Sequence, residues 1–143
     1  MAARPGMVLV YFYRESSQVG CALLMHIDEL VQDGRPVSSD NQSASPQEQE
    51  IGILNNGSYL GVYLWPGKHT LYGTAWRHDE TSYLDAELET GKIYYFSGMF
   101  YHPVPSGQPG AVVFIAVDPA KALHEMAELP KADTDLGTLG DCL

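Results

Sequence analysis

Histidine is the side chain best placed to bind a metal or move a proton near neutral pH. This chain has His26, His69, His78, His102 and His124. None of them stands in an HxH or HxxxH spacing, Cys-x-x-Cys is absent, and only His124 with Glu128 shares a helical face at i,i+4. Ligands so scattered give no local support to a metal centre, and neither metal nor cofactor is expected. Nucleophilic and phosphoryl chemistry lack a foothold too, because the chain has no G-x-S-x-G elbow and no G-x-x-x-x-G-K-[ST] loop. Asp85, Glu87 and Glu89 alternate with Leu84, Ala86 and Leu88, the pattern of a strand with one wet side rather than of a catalytic carboxylate pair. His78-Asp79-Glu80 reads as a solvated turn tip. No catalytic residue is expected, and the chain is read as a non-enzyme.

The densest gathering of aromatic and titratable groups is Leu64 to Leu71, LWPGKHTL. Proline presets the backbone angle at the first central position of a tight turn, and glycine accepts the positive φ of the second. Pro66-Gly67 is therefore read as a corner, after which His69 to Arg77 should run back beside Ser58 to Trp65. No acid or nucleophile lies within the stretch to work with His69.

Apolar residues recur with period two over most of the chain, which predicts strands. Met7 to Arg14 is apolar on both faces, as suits a central strand covered on each side. Val19 to Ile27 follows a short polar link that favours a hairpin, and Asp33-Gly34 marks the next turn. The polar stretch from 38 to 50 reads as a solvated, mobile loop. Asn56-Gly57 suits a type I′ turn and would pair Ile51 to Leu54 with Ser58 to Trp65. The same asparagine opens a glycosylation acceptor pattern, as does Asn41, but the turn explains Asn56 more fully. Three further strands follow, in Tyr83 to Glu89, Lys92 to Tyr101 and Ala111 to Val117. The end differs in kind, because Asp118 can cap a helix, Pro119 suits its first turn, and Ala122, Leu123, Met126 and Leu129 recur at helical spacing. The expectation is an antiparallel β-sandwich of about eight strands, one domain over 1–130 with a helix at about 119–129, and a disordered tail over 131–143.

At 143 residues the chain can bury a core without disulfides. Cys21 reads as a small buried hydrophobe on the face shared by Leu23, Met25 and Ile27, and Cys142 lies in the tail, so a disulfide between them is not expected. The net charge of -10 is concentrated in residues 28–50 and 118–143. That surface repels phosphate backbones and anionic membranes, which argues against nucleic acid as a partner and leaves basic proteins or cations. No apolar run reaches the ~20 residues of a membrane span, and the first residues lack a signal-peptide pattern.

Several of these features together resemble the bacterial DUF2846 family. They are Tyr13-Arg14 closing the first strand, Gly57-Ser58-Tyr59, Pro66-Gly67-Lys68-His69 with Leu71, Gly91-Lys92-Ile93-Tyr94-Tyr95, and the closing strand running into Val117-Asp118. The Pro-Gly-x-His turn is also similar to turns of PEGA-like and carboxypeptidase-regulatory-like sandwiches, and the fold expected is of the transthyretin/carboxypeptidase-regulatory-like kind. The resemblance implies a non-enzymatic domain of the periplasm or cell envelope, its leader removed. It supplies no ligand. The chain departs from the family in its polar insertion over 38–50 and in having no cysteine before Cys21 to carry a lipid; a cytoplasmic location is the alternative.

Aromatic residues supply the binding candidates. Tyr59, Tyr63 and Trp65 share one strand face, and Tyr72 and Trp76 share a face of the strand expected beside it, so Tyr63, Trp65, Tyr72 and Trp76 could form one ladder. Buried, it would be half of the sandwich core, with Leu60, Val62 and Leu64 under the helix, and a protein would bind elsewhere. Exposed, it would stack a sugar. Burial, and hence a protein partner, is the favoured expectation, with a glycan as the alternative.

Overall fold

The computed structural model describes residues 5–17, 23–32, 35–36, 47–75, 82–100 and 111–132. Nine strands and one helix lie among them: β1 Val8–Arg14, β2 Met25–Gln32, β3 Arg35–Pro36, β4 Gln47–Leu54, β5 Ser58–Leu64, β6 Gly67–Thr74, β7 Leu84–Leu88, β8 Ile93–Phe100, β9 Val112–Ala116 and α1 Pro119–Met126. They form a two-sheet sandwich, as the period-two runs require. The first sheet has the order β5-β1-β8-β9; the second has β3-β2-β6-β7, with β4 also paired to β2.

The core forms because alternate residues of both sheets point inward. Val8, Val10 and Phe12 of β1 meet Met25 and Ile27 of β2, Leu71 of β6 and Phe114 of β9 in one cluster. Burying each such side chain contributes about 1.5–3 kcal/mol. Phe12 packs its ring 5.5 Å from Phe114 at 72° and 5.6 Å from Phe96. A second, smaller cluster lies on the outer side of the first sheet, where Ala122, Met126 and Leu129 pack on Tyr11, Tyr13, Tyr59 and Tyr95. β1 is thus covered on both faces, which accounts for its unbroken apolar run.

Strand pairing differs from expectation at every predicted hairpin between large strands. β1 pairs with β5 and β8, whereas β2 lies in the opposite sheet, so the link after Arg14 crosses the sandwich. β4 pairs with β2 and β5 with β1, and Asn56-Gly57 therefore carries the chain between sheets. The chain does turn there, with Gly57 at φ 67 and the Ser58 hydroxyl donating to the Asn55 carbonyl at 2.6 Å. Pro66-Gly67 is likewise a corner, with Gly67 at φ 119, but it too joins the two sheets. The physical reason is shared. Each of these strands has an apolar face that either sheet can bury, so a sharp turn is compatible with hairpin or crossover.

β1 and β8 run parallel, so the first sheet is mixed rather than antiparallel. Gln47 to Glu50, expected in a loop, begin β4; their side chains are exposed, yet their backbone pairs with Val31 to Asp28 of β2, with a register shift at Ile27/Asp28. Gln32 pairs with Arg35 around the Asp33-Gly34 turn position, which itself lies outside the described residues.

Helix α1 starts where predicted. The Asp118 side chain accepts from the Lys121 amide, capping an otherwise unpaired donor. It ends at Met126, three residues early, and Leu123 is 56% exposed, so the buried stripe is Ala122, Met126 and Leu129 without it. Pro130 to Ala132 pair with Tyr59, which donates to the Pro130 carbonyl at 3.1 Å and accepts from the Ala132 amide at 2.8 Å; the rest of the expected tail, 133–143, lies outside the described residues.

Arg14 fastens the two sheets at one end. It is 3% exposed, and its Nη1 donates to the carbonyls of Leu23 at 2.7 Å and Leu54 at 3.2 Å, just before β2 and at the end of β4. Its guanidinium lies 5.1 Å from the centre of the Phe100 ring. One guanidinium nitrogen thus serves two backbone acceptors while the flat cation lies by an aromatic ring.

Candidate functional site

Strand β5 sets the geometry. Leu60, Val62 and Leu64 belong to the main core, and Tyr59, Gly61 and Tyr63 alternate to the outer face of the first sheet. This reverses the expected arrangement, in which the aromatic row formed the core and the aliphatic row met the helix. Leu9 stands opposite both Tyr63 and Ile93 across the two ladders, so Tyr63, Leu9 and Ile93 form one outer row. The next row holds Gly61, Tyr11 and Tyr95, with the two tyrosine rings stacked at 5.4 Å and 11°. α1 covers the Tyr13 end of these rows. Leu9, Tyr63 and Ile93 belong to neither apolar cluster, and Ile93 is 49% exposed. Trp65, one step beyond β5 at the corner, is 65% exposed.

The four predicted aromatics therefore do not form one surface. Tyr63 lies on β5 of the first sheet and Trp65 at the corner just after it, whereas Tyr72 lies on β6 in the second, because the Pro66-Gly67 corner crosses between sheets. Trp76 lies outside the described residues. Burial is split too: Tyr72 is 2% exposed and Trp65 is open. Tyr72 sits beside Tyr83 at 5.4 Å and 64°, and its hydroxyl has no hydrogen-bond partner among the described residues. Burial, with the nearby Glu48 and Asp28 carboxylates, pushes that phenol above its ordinary range. Asp28 is raised in turn, first by burial and then by Glu50 and Glu48, against the opposing effect of a 3.0 Å hydrogen bond from Thr74.

His69 is 2% exposed, and the acid missing from its own segment comes from β2. Its Nδ1 lies 2.6 Å from Glu29 Oε2 and its Nε2 lies 2.7 Å from the Trp65 carbonyl. Burial lowers the ring's pKa; the Glu29 hydrogen bond, the Trp65 carbonyl and the Glu29 charge raise it, and the net direction is upward. Both ring nitrogens are thus engaged by groups of the fold. His69 positions the corner. His26 makes a different pair with Glu50, at 2.5 Å and largely exposed.

Other places offer less. A cavity of about 230 Å³ opens between Arg14, Glu15, Ser16, Ser97 and Met99, but the Arg14 cation is committed to carbonyls of the fold. Among the described residues no group of three or more His, Cys, Asp or Glu is arranged to hold a metal ion. No helix among them is long and apolar enough to cross a membrane. His78, His102, Cys21 and Cys142 lie outside the described residues.

Sequence reasoning singled out Tyr63 and Trp65 as candidates and did not place Leu9 and Ile93 beside Tyr63. Those two become neighbours of Tyr63 only through the β5-β1-β8 order, in which one pairing is parallel. Ile93 carried a usable signal, as a large apolar residue directly after the Gly91-Lys92 turn.

No family model matches the chain, and no curated protein matches it. Among solved structures it is similar to a crystal structure described as a "putative cell adhesion protein" from Bacteroides ovatus ATCC 8483, with 13% identity and a TM-score of 0.47, over 79% of this chain and 44% of that one. The chain thus spans less than half the length of that structure.

Proposed function

We propose that this chain is a non-catalytic binding module of the cell envelope that recognises another protein through Leu9, Tyr63, Ile93 and Trp65 on the outer face of the first sheet. One observation carries the reading. Trp65, 65% exposed, follows β5 two residues after Tyr63, whose row with half-buried Leu9 and exposed Ile93 belongs to neither apolar cluster. Large aromatics with aliphatic neighbours are the usual anchors of protein interfaces, and the strongly acidic chain favours a partner with a basic rim. The envelope location and the lack of catalysis are what the resemblance of the turn and strand residues to DUF2846 implies; no family model matches the chain.

A glycan is the second reading, favoured by the open Trp65 ring next to Tyr63, since sugar C–H faces stack on flat rings. Aliphatic Leu9 and Ile93 in the same row weigh toward protein, because they add apolar area without a stacking plane. The test is capture from the native envelope fraction on immobilised wild-type chain and on Ile93→Asp and Trp65→Ala variants, beside titration of the wild type with soluble glycans. A protein retained by wild type and absent from both variants supports the proposal. Equal retention by all three refutes it, and a saturable change in Trp65 fluorescence with a glycan installs the second reading.

A further inference from the structure

The His69 ring faces two groups that can only accept hydrogen bonds, a carboxylate oxygen and a backbone carbonyl. Satisfying both takes two N–H donors, and only the imidazolium has them. A neutral ring has one N–H and must give up one partner. Glu29 is the partner it keeps, since the two side chains are 1% and 8% exposed and a buried carboxylate left without its donor is costly. The hydrogen bond given up is the one to Trp65, where a bare Nε2 lone pair would face the carbonyl oxygen at 2.7 Å.

We propose that the second proton of His69 is a pH-operated clamp on the Trp65-Pro66-Gly67 corner, closed when the ring is doubly protonated and released when it is neutral. Ring and corner are coupled directly, because the clamped carbonyl belongs to Trp65 itself. Of the charged groups around it, Glu29 from β2 is the one bonded to the ring. Lys68 on β6 and Asp85 and Glu87 on β7 are all exposed, on strand positions that alternate with His69 and with Ala86, its partner across the ladder. Gly67 faces open space, since a Cβ placed there would meet nothing within 4 Å. The clamp follows from donor counting and burial, whatever Trp65 binds.

The experiment is a pH titration of wild-type protein by NMR from pH 5 to 9, following the His69 ring nitrogens and the Trp65 indole N–H, with Trp76→Phe used only to assign the indole signal. The expected result is a ring protonated at both nitrogens at pH 6 that loses the Nε2 proton at higher pH, with the Trp65 indole shifting at the same midpoint. Glu29→Gln should lower that midpoint by one pH unit or more. A ring already neutral at pH 6, or a Trp65 signal that does not follow the His69 midpoint, overturns the clamp.

Discussion

His69 of β6 and Glu29 of β2 are forty residues apart in sequence and 2.6 Å apart at Nδ1 and Oε2, buried together behind the corner that presents Trp65. Removing one member should cost more than removing both. Glu29→Ala strands a buried imidazolium and should lower stability by roughly 3 kcal/mol or more, as loss of one partner of a buried ion pair does. Urea unfolding of Glu29→Ala, His69→Ala and the double variant checks this: the double variant should lose much less stability than the sum of the two single losses. Strict additivity would show that the pair is not coupled.

The same pair gives the pH dependence a sign. His69 is raised in the folded chain, so its contribution is fully present below the unfolded value near 6.5 and is lost as pH rises through the folded value. Stability should therefore fall between pH 6 and 9 in wild type and fall less in His69→Gln. The window stops at 9 because Tyr13, Tyr72 and Tyr95 are all held above the ordinary phenol range, and their ionisation on unfolding favours the unfolded chain from about pH 10.

Gly67→Val should destabilise the fold by ~1 kcal/mol or more, through the backbone alone. The residue sits at φ 119, which β-branched side chains resist, while space for a Cβ is open. Gly67→Ala should cost less than Val if the account is right. Thermal unfolding of the two variants gives the comparison.

The turns and the helix cap were legible because their signals are local: Gly57 and Gly67 take positive φ, and Asp118 caps α1. Strand existence was legible for the same reason, since alternation is written into each run. Pairing was not. Whether β4 and β5 close a hairpin or separate into two sheets depends on partners tens of residues away, Ile27 and Val10 among them. The candidate surface inherited that error, which is why Tyr72 was grouped with Tyr63, and why Glu29 was never placed beside His69.

Tyr72→Phe should be neutral or stabilising by up to ~1 kcal/mol. Its hydroxyl is buried without a hydrogen-bond partner among the described residues, so removing it relieves a desolvation cost and keeps the ring contact with Tyr83. A loss above ~1 kcal/mol in chemical denaturation would mean that the hydroxyl does bond in solution, with Glu48 the nearest candidate.

Arg14→Lys should destabilise nearly as much as Arg14→Met, by about 2 kcal/mol or more, because an ammonium cannot reproduce the planar fork over the Phe100 ring while bonding the carbonyls of Leu23 and Leu54. Equal stability of Arg14→Lys and wild type would reduce the role to charge alone.

The proposed recognition surface is tested most directly by placing a photoreactive amino acid at position 93, on the outer face of the first sheet, and at position 87, exposed on β7 of the second, and irradiating each with the native envelope fraction. Recognition of a protein through the Leu9, Tyr63, Ile93 and Trp65 row predicts a discrete protein adduct from position 93 and none from position 87. No adduct at 93, or matching adducts at both positions, would contradict it.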